Sequence, residues 1–273
     1  MYLWSVAKRE MRLGFRNPWS YSFLALFSFF TLALLVIQSQ VQITGYTSTT
    51  GTMLNLILYL VPLLTLLLGS FSVTAEKEDG NWRLLSTYAL SSSSFLWGKY
   101  IGLCGVLVSI VSFGYGLAGV IGALIGKAFT SDMLLLFFVF TVCLVLLFLG
   151  LAILIGSLSK NRWQALTIGV GVWFLLILGW QTLLISTLSI APYLWIKPIL
   201  VMVTFLNPAE LIRLFMVVKL GGGSVLGPEY YQWVEWIKAP MGTPVFLLVC
   251  VSWIGVYVGS SILRWERSRY RDE

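Results

Sequence analysis

The charged residues of this chain fall in clusters, and between them lie apolar runs of about 18 residues or more, each long enough to cross a hydrocarbon core as a helix. Such runs leave little choice of fold. Inside lipid no water satisfies backbone N–H and C=O groups, so a spanning segment must satisfy them within itself as a helix or around a closed barrel. A barrel shows alternation in units of about 10 residues, and none is present. Only 11% of the 273 residues are charged, against about 25% in soluble domains, and mean hydropathy is +0.89. The expected fold is an all-α integral membrane protein, one domain over residues 1–273 without repeats or linkers. Six transmembrane helices are expected near 19–37, 52–75, 100–126, 133–157, 164–188 and 243–263. The third is rich in glycine (Gly102, Gly105, Gly114, Gly116, Gly119, Gly122, Gly126), which suits close helix–helix approach.

The formal net charge of +7 does not point to nucleic acid. Lys and Arg gather beside the spans, where they fix orientation, and no nucleic-acid-binding motif accompanies them. With the N-terminus cytoplasmic, that side holds thirteen of the 18 basic residues: Lys8, Arg9, Arg12, Arg16, Lys77, Arg83, Lys99, Lys160, Arg162, Arg264, Arg267, Arg269 and Arg271. The other side holds Lys127, Lys197, Arg213, Lys219 and Lys238, four of them in one long loop where the rule carries little weight. A multi-pass protein of the cytoplasmic membrane with both termini in the cytoplasm is expected. The N-terminal run does not read as a cleavable signal, because four basic residues precede a long span and no small-x-small site follows.

Several chemistries are removed at once. There is no histidine, hence no bis-histidine haem, histidine proton relay or histidine zinc site. Cys104, Cys143 and Cys250 lie inside apolar runs and read as small hydrophobes. The amides well within spans, Asn55, Gln164 and Gln181, are isolated, as helix-packing contacts are. No catalytic, cofactor-binding or metal-ligating residue is expected.

Two segments outside the spans have structure of their own. Residues 3–16 read as an amphipathic helix, with Leu3, Trp4, Ala7, Met11 and Phe15 on one face and Lys8, Arg12 and Arg16, beside Arg9, on another. That is the pattern of a helix lying in the headgroup plane, and Asn17-Pro18 ends it. The segment 189–241 reads as a long irregular outer stretch, interrupted by Pro192 and Pro198 and containing one short helix. Asn207 is its N-cap, Pro208 suits its first position, Glu210 can close a capping box, and Gly221–Gly223 stops it near Leu220. Tyr230, Tyr231, Trp233 and Trp236 then read as interfacial aromatics.

An energy source is missing from the chain. It has no G-x-x-x-x-G-K-[ST] loop to hold ATP phosphates and no ionisable side chain inside the expected spans to couple an ion gradient. Energy for transport must come from a partner. The cytoplasmic loop 76–99 is where such a partner would meet the chain. It runs from Glu76, Glu78 and Gly80 through Trp82, Arg83, Leu84 and Leu85, then four serines, to Gly98 and Lys99. With Glu-x-Glu-x-Gly, a Leu-Leu pair and a later Gly-Lys in this order, the chain resembles the permease subunits of type-2 ABC exporters. Within them it is most similar to permeases of transporters that serve nitrous oxide reductase maturation. That similarity rests on Arg16-Asn17, Thr87-Tyr88, Gly171-Val172-Trp173-Phe174, and Leu206-Asn207-Pro208 with Arg213. Asn81 and Ala89 depart from it, standing where those relatives usually have Thr and Pro, as does the serine run Ser91–Ser94.

The resemblance implies a homodimer, each copy carrying a separate cytoplasmic ATPase that binds ATP and Mg. It makes residues 3–16 an elbow helix, with Lys8, Arg9, Arg12 and Arg16 toward the bilayer. It makes 76–99 the coupling loop, with Glu76, Glu78, Gly80, Arg83, Leu84 and Leu85 meeting the ATPase. It also makes 189–241 an outer re-entrant or helical segment capped by Asn207, Pro208, Glu210 and Arg213, beneath a periplasmic or extracellular accessory protein. The cargo stays open at this point: a sulfur species for copper–sulfur cluster assembly, or a drug, bacteriocin, lipid or ion. A non-transporting assembly scaffold and an integral enzyme are the readings from other classes.

Overall fold

The computed structural model describes residues 2–38, 46–80, 91–126, 130–190 and 192–269. Regular structure among them is helical throughout. An N-terminal helix, α1 (Tyr2–Arg16), is followed by α2 (Pro18–Gln38), α3 (Ser48–Glu78), α4 (Ser92–Ile125) and α5 (Ser131–Leu158). The next span is composite: α6 (Arg162–Trp173), a π-helical stretch (Phe174–Gly179) and α7 (Trp180–Ile190). Then come α8 (Tyr193–Leu206), α9 (Pro208–Lys219), two 3₁₀ turns, α10 (Tyr231–Lys238) and α11 (Gly242–Arg269).

Among the described residues six helices are long and apolar enough to cross a membrane: α2, α3, α4, α5, the composite Arg162–Ile190, and α11. α3 and α4 have 31 and 34 residues, whereas a span needs about 20. The surplus extends both helices past the apolar runs and carries Glu76 and Lys99 on regular helix. Termination is local. Thr47 and Thr50 form a capping box at α3, Asn161 accepts from Gln164 N to start α6, and Gly126 in the left-handed region ends α4.

α5 is the central helix, with α3, α4, α6, α9 and α11 packed against it. Lipid supplies no hydrophobic drive between spans, so small residues and buried polar contacts hold them together. A Cβ on Gly69 would stand 2.6 Å from Ala152 Cβ, and one on Gly156 would stand 2.7 Å from Val73 Cβ, so α3 and α5 approach closely at both points. The Tyr115 hydroxyl on α4 meets Thr141 Oγ1 on α5 at 2.8 Å, and Tyr100 OH donates to Leu146 O at 3.0 Å. Thr31 Oγ1 joins α2 to α4 by donating to Gly114 O at 3.1 Å.

The segment 189–241, expected to be mostly irregular, is mostly helix. α8 has 14 residues and so runs about 21 Å. It ends at Asn207, whose Nδ2 donates to Leu176 O at 2.7 Å in the middle of the composite span. The chain bends by 109° between Pro198–Leu206 and Pro208–Lys219 and returns along α9, with the turn held against the composite span. Pro192 is the N-cap of α8 and Pro198 lies within it, which interior packing permits in membrane helices. Asn207 is fully buried, and its Oδ1 accepts from Ala209 N at 3.0 Å. The expected capping box does not close. Glu210 instead accepts two hydrogen bonds from Arg213, at 2.9 and 2.5 Å, because a buried carboxylate gains more from a guanidinium one turn away than from a backbone amide. Tyr230 and Trp236 are partly buried against the core and Trp233 is buried, so of the four aromatics only Tyr231 is outward, 63% exposed.

Candidate functional site

Three consecutive charges end α3, and 100° per residue sends each toward a different neighbour. Glu76 turns to α1 and α4, Lys77 to α5 and α11, and Glu78 to α6. The end of α3 is thereby fastened on three sides, immediately before the segment 81–90.

The Glu76 side is buried. Lys99 of α4 is 1% exposed, Glu10 of α1 4% and Glu76 5%. The Lys99 ammonium pairs with the Glu10 carboxylate, lies 3.3 Å from Glu76 Oε1, and donates to Ser72 Oγ at 3.0 Å and Ser72 O at 3.2 Å. Ser72 Oγ in turn donates to Glu10 Oε1 at 3.2 Å. Arg9, half exposed, closes the cluster on Glu76 Oε1, while Glu76 Oε2 is buried with no hydrogen bond among the described residues. Two cations and two carboxylates balance. Balance matters here because an unpaired buried charge costs several kcal/mol.

α1 reaches this cluster through glycines. It runs along α4, with Val6 at Gly98, Ala7 and Glu10 at Gly102, Met11 at Gly105 and Gly14 at Val106. A Cβ on Gly102 would stand 2.6 Å from both Ala7 O and Glu10 Cβ. The face of α1 that is buried is thus Val6, Ala7, Glu10 and Gly14. From the apolar face read in the sequence, Ala7 is buried while Trp4 and Phe15 remain outward, 68% and 43% exposed.

The other two branches complete the hub. Lys77 Nζ donates to Gly156 O (3.0 Å), Ser157 O (2.6 Å) and Ser159 O (2.8 Å), satisfying the orphan carbonyls at the end of α5, and lies 5.4 Å above the Trp265 ring of α11. Glu78 accepts from Arg162 N at 2.8 Å and pairs with Arg162 Nε at 2.8 Å. Gly80, at φ +69°, terminates α3 in the left-handed region.

Of the residues singled out in the sequence, the structure brings Glu76, Glu78 and Arg9 into this hub. Lys8, Arg12 and Arg16 are exposed on the outside of α1. Arg83, Leu84 and Leu85 lie outside the described residues. Asn207, Pro208, Glu210 and Arg213 are gathered at the turn between α8 and α9, where Asn207 meets Leu176 in the middle of the composite span. Sequence reasoning missed Glu10, Ser72 and the structural part of Lys99. The available signal was a carboxylate at the spacing of Ala7 and Gly14, the small residues of α1 that meet α4. Among the described residues no group of three or more His, Cys, Asp or Glu is placed to hold a metal ion.

A family model described as ABC-2 family transporter protein matches residues 4–269. The probable ABC transporter permease protein NosY of Stutzerimonas stutzeri is 28% identical over 263 residues, covering 93% of this chain and 94% of that protein. The protein of the same name from Pseudomonas aeruginosa is 29% identical over 220 residues, covering 78% of this chain and 80% of its own length.

Proposed function

The chain belongs to the ABC-2 family of transporters as a membrane-spanning permease, and from that premise we propose that it serves nitrous oxide reductase maturation, as one of two copies each coupled to a separate cytoplasmic ATPase. The family match supports the permease role, and the names of the two relatives support the maturation role. The observation that carries the coupling mechanism is the hub at the end of α3, seated between α1, α4, α5, α6 and α11 directly before the segment 81–90. ATP and Mg are held by the ATPase. When its two copies close, the end of α3 is displaced, and Glu76, Lys77 and Glu78 pass that displacement to the helices they grip. Rigid helices fastened at one end turn a local push into a rocking motion of the bundle. Energetically, the ATPase shifts the permease only by its differential affinity for the two arrangements. An accessory protein on the outer face completes the assembly in this reading.

Orientation follows from the excess of Lys and Arg at the hub end. A membrane-impermeant thiol reagent applied outside is expected to label a cysteine introduced at Ser224, on the outer 3₁₀ turn, and to spare one at Ser93 beside the coupling segment. The opposite pattern overturns the topology.

The maturation role has its own test. Deleting this chain in its host is expected to yield nitrous oxide reductase lacking its copper–sulfur cluster, read from the absorbance and copper content of the purified enzyme. Fully loaded reductase from the deletion strain rejects that role and leaves an ABC-2 permease for another cargo.

A further inference from the structure

At the end of the bundle away from the hub, α5, α9 and α11 leave a groove of about 390 Å³ between them, within the roughly 300–1,000 Å³ range of small-molecule sites. Its polar groups are all at one end. Asp132 stands in the first turn of α5, Lys219 ends α9, and Thr243 stands in the first turn of α11. From that mouth the groove runs along α5 to Cys143, eleven residues beyond Asp132, a length of about 16 Å. The wall between is apolar. Phe215 and Phe246 stack in it at 4.0 Å, and Val139 is 50% exposed along its side. The Lys219 ammonium lies 5.3 Å above the Phe215 ring. Asp132 and Lys219 have no ion-pair partner among the described residues.

We propose that this groove holds one bilayer phospholipid with a primary-ammonium headgroup, of the phosphatidylethanolamine type. An elongated apolar slot with charges of both signs at a single mouth complements a zwitterionic amphiphile. One acyl chain fills the slot, the phosphate meets Lys219, and the ammonium meets Asp132. A primary ammonium has N–H groups to donate to the Asp132 carboxylate. A quaternary choline has none, and an anionic headgroup places its net charge beside a carboxylate. The site requires only the membrane-embedded bundle and is independent of the maturation role.

The test is lipid retention by the intact permease in nanodiscs containing equal phosphatidylethanolamine, phosphatidylcholine and phosphatidylglycerol. After mild delipidation, bound lipid is identified by native mass spectrometry. The parental protein is expected to retain phosphatidylethanolamine about tenfold over the other two, the value of one charge-assisted hydrogen bond. Asp132→Asn is expected to erase the preference over phosphatidylcholine. Lys219→Gln is expected to lower retention of both zwitterionic lipids, and Val139→Trp, which fills the groove from its open side, to lower retention of all three. Asp132 and Lys219 are exposed, so these two variants carry the test if Val139→Trp does not fold. Retention in proportion to bilayer composition by the parental protein, or an unchanged preference in Asp132→Asn, overturns the proposal.

Discussion

Replacing Lys99 with methionine is expected to destabilise the permease by about 3–5 kcal/mol, the cost of leaving buried partners of an ion pair uncompensated. Glu10 and Glu76, 4% and 5% exposed, would face each other's charge across the space that Lys99 fills at 1% exposure. Arg9 alone cannot replace it, because it is half exposed and reaches only Glu76. Thermal unfolding of the purified protein, followed by size-exclusion and circular dichroism, reads the loss. The double variant Glu10→Gln with Lys99→Met is expected to recover most of it, since removing both members of a buried pair is far less costly than removing one. The remaining Arg9 and Glu76 then balance. A Lys99→Met protein that unfolds with the parent would mean that water reaches the cluster. The Glu78–Arg162 pair is the natural contrast. Its side chains are 32% and 49% exposed, and pairs of that kind contribute about 0–1 kcal/mol.

The six spans were readable in the sequence because each apolar run satisfies a requirement lipid imposes on any chain. So were the stops that depend on one residue, such as the Asn207 cap and the end of α9 before Gly221. The glycines of the third span were read as a packing surface: Gly102, Gly105 and Gly114 meet α1 and α2, while a Cβ on Gly116 or Gly126 would meet nothing within 4 Å. What stayed hidden depends on pairing between distant segments. Glu10 beside Arg9 looks like one more charge on a basic amphipathic helix; only the approach of α1 to Gly98 and Gly102 buries it against Lys99. Local signals also misled. Pro198 read as a break but lies inside α8, which a membrane helix tolerates, whereas Pro192 does stand at a boundary, between α7 and α8. The π-helical stretch has no signature in Phe174–Gly179, and its carbonyl at Leu176 finds its partner 31 residues later in Asn207.

Coupling is the central claim, and removing the two carboxylates that root the loop tests it most directly. Glu76 ties α3 to Arg9 and Lys99, and Glu78 ties it to Arg162, on either side of the three carbonyls that Lys77 holds. Without them the end of α3 loses two of its three attachments. Glu76 belongs to a desolvated, hydrogen-bonded set, and breaking such a set costs about 2–5 kcal/mol; a solvated boundary charge would cost almost nothing. The measurement is the amount of ATPase subunit that stays bound to Glu76→Ala/Glu78→Ala permease on purification from native membranes, alongside transport-dependent activity of the reconstituted complex. Retention is expected to fall by tenfold or more, which corresponds to a loss of about 1.4 kcal/mol or more in the ATPase's affinity, in a protein that remains monodisperse and helical. Retention and activity both at the parental level would contradict the account and reduce Glu76 and Glu78 to charges that mark the membrane boundary.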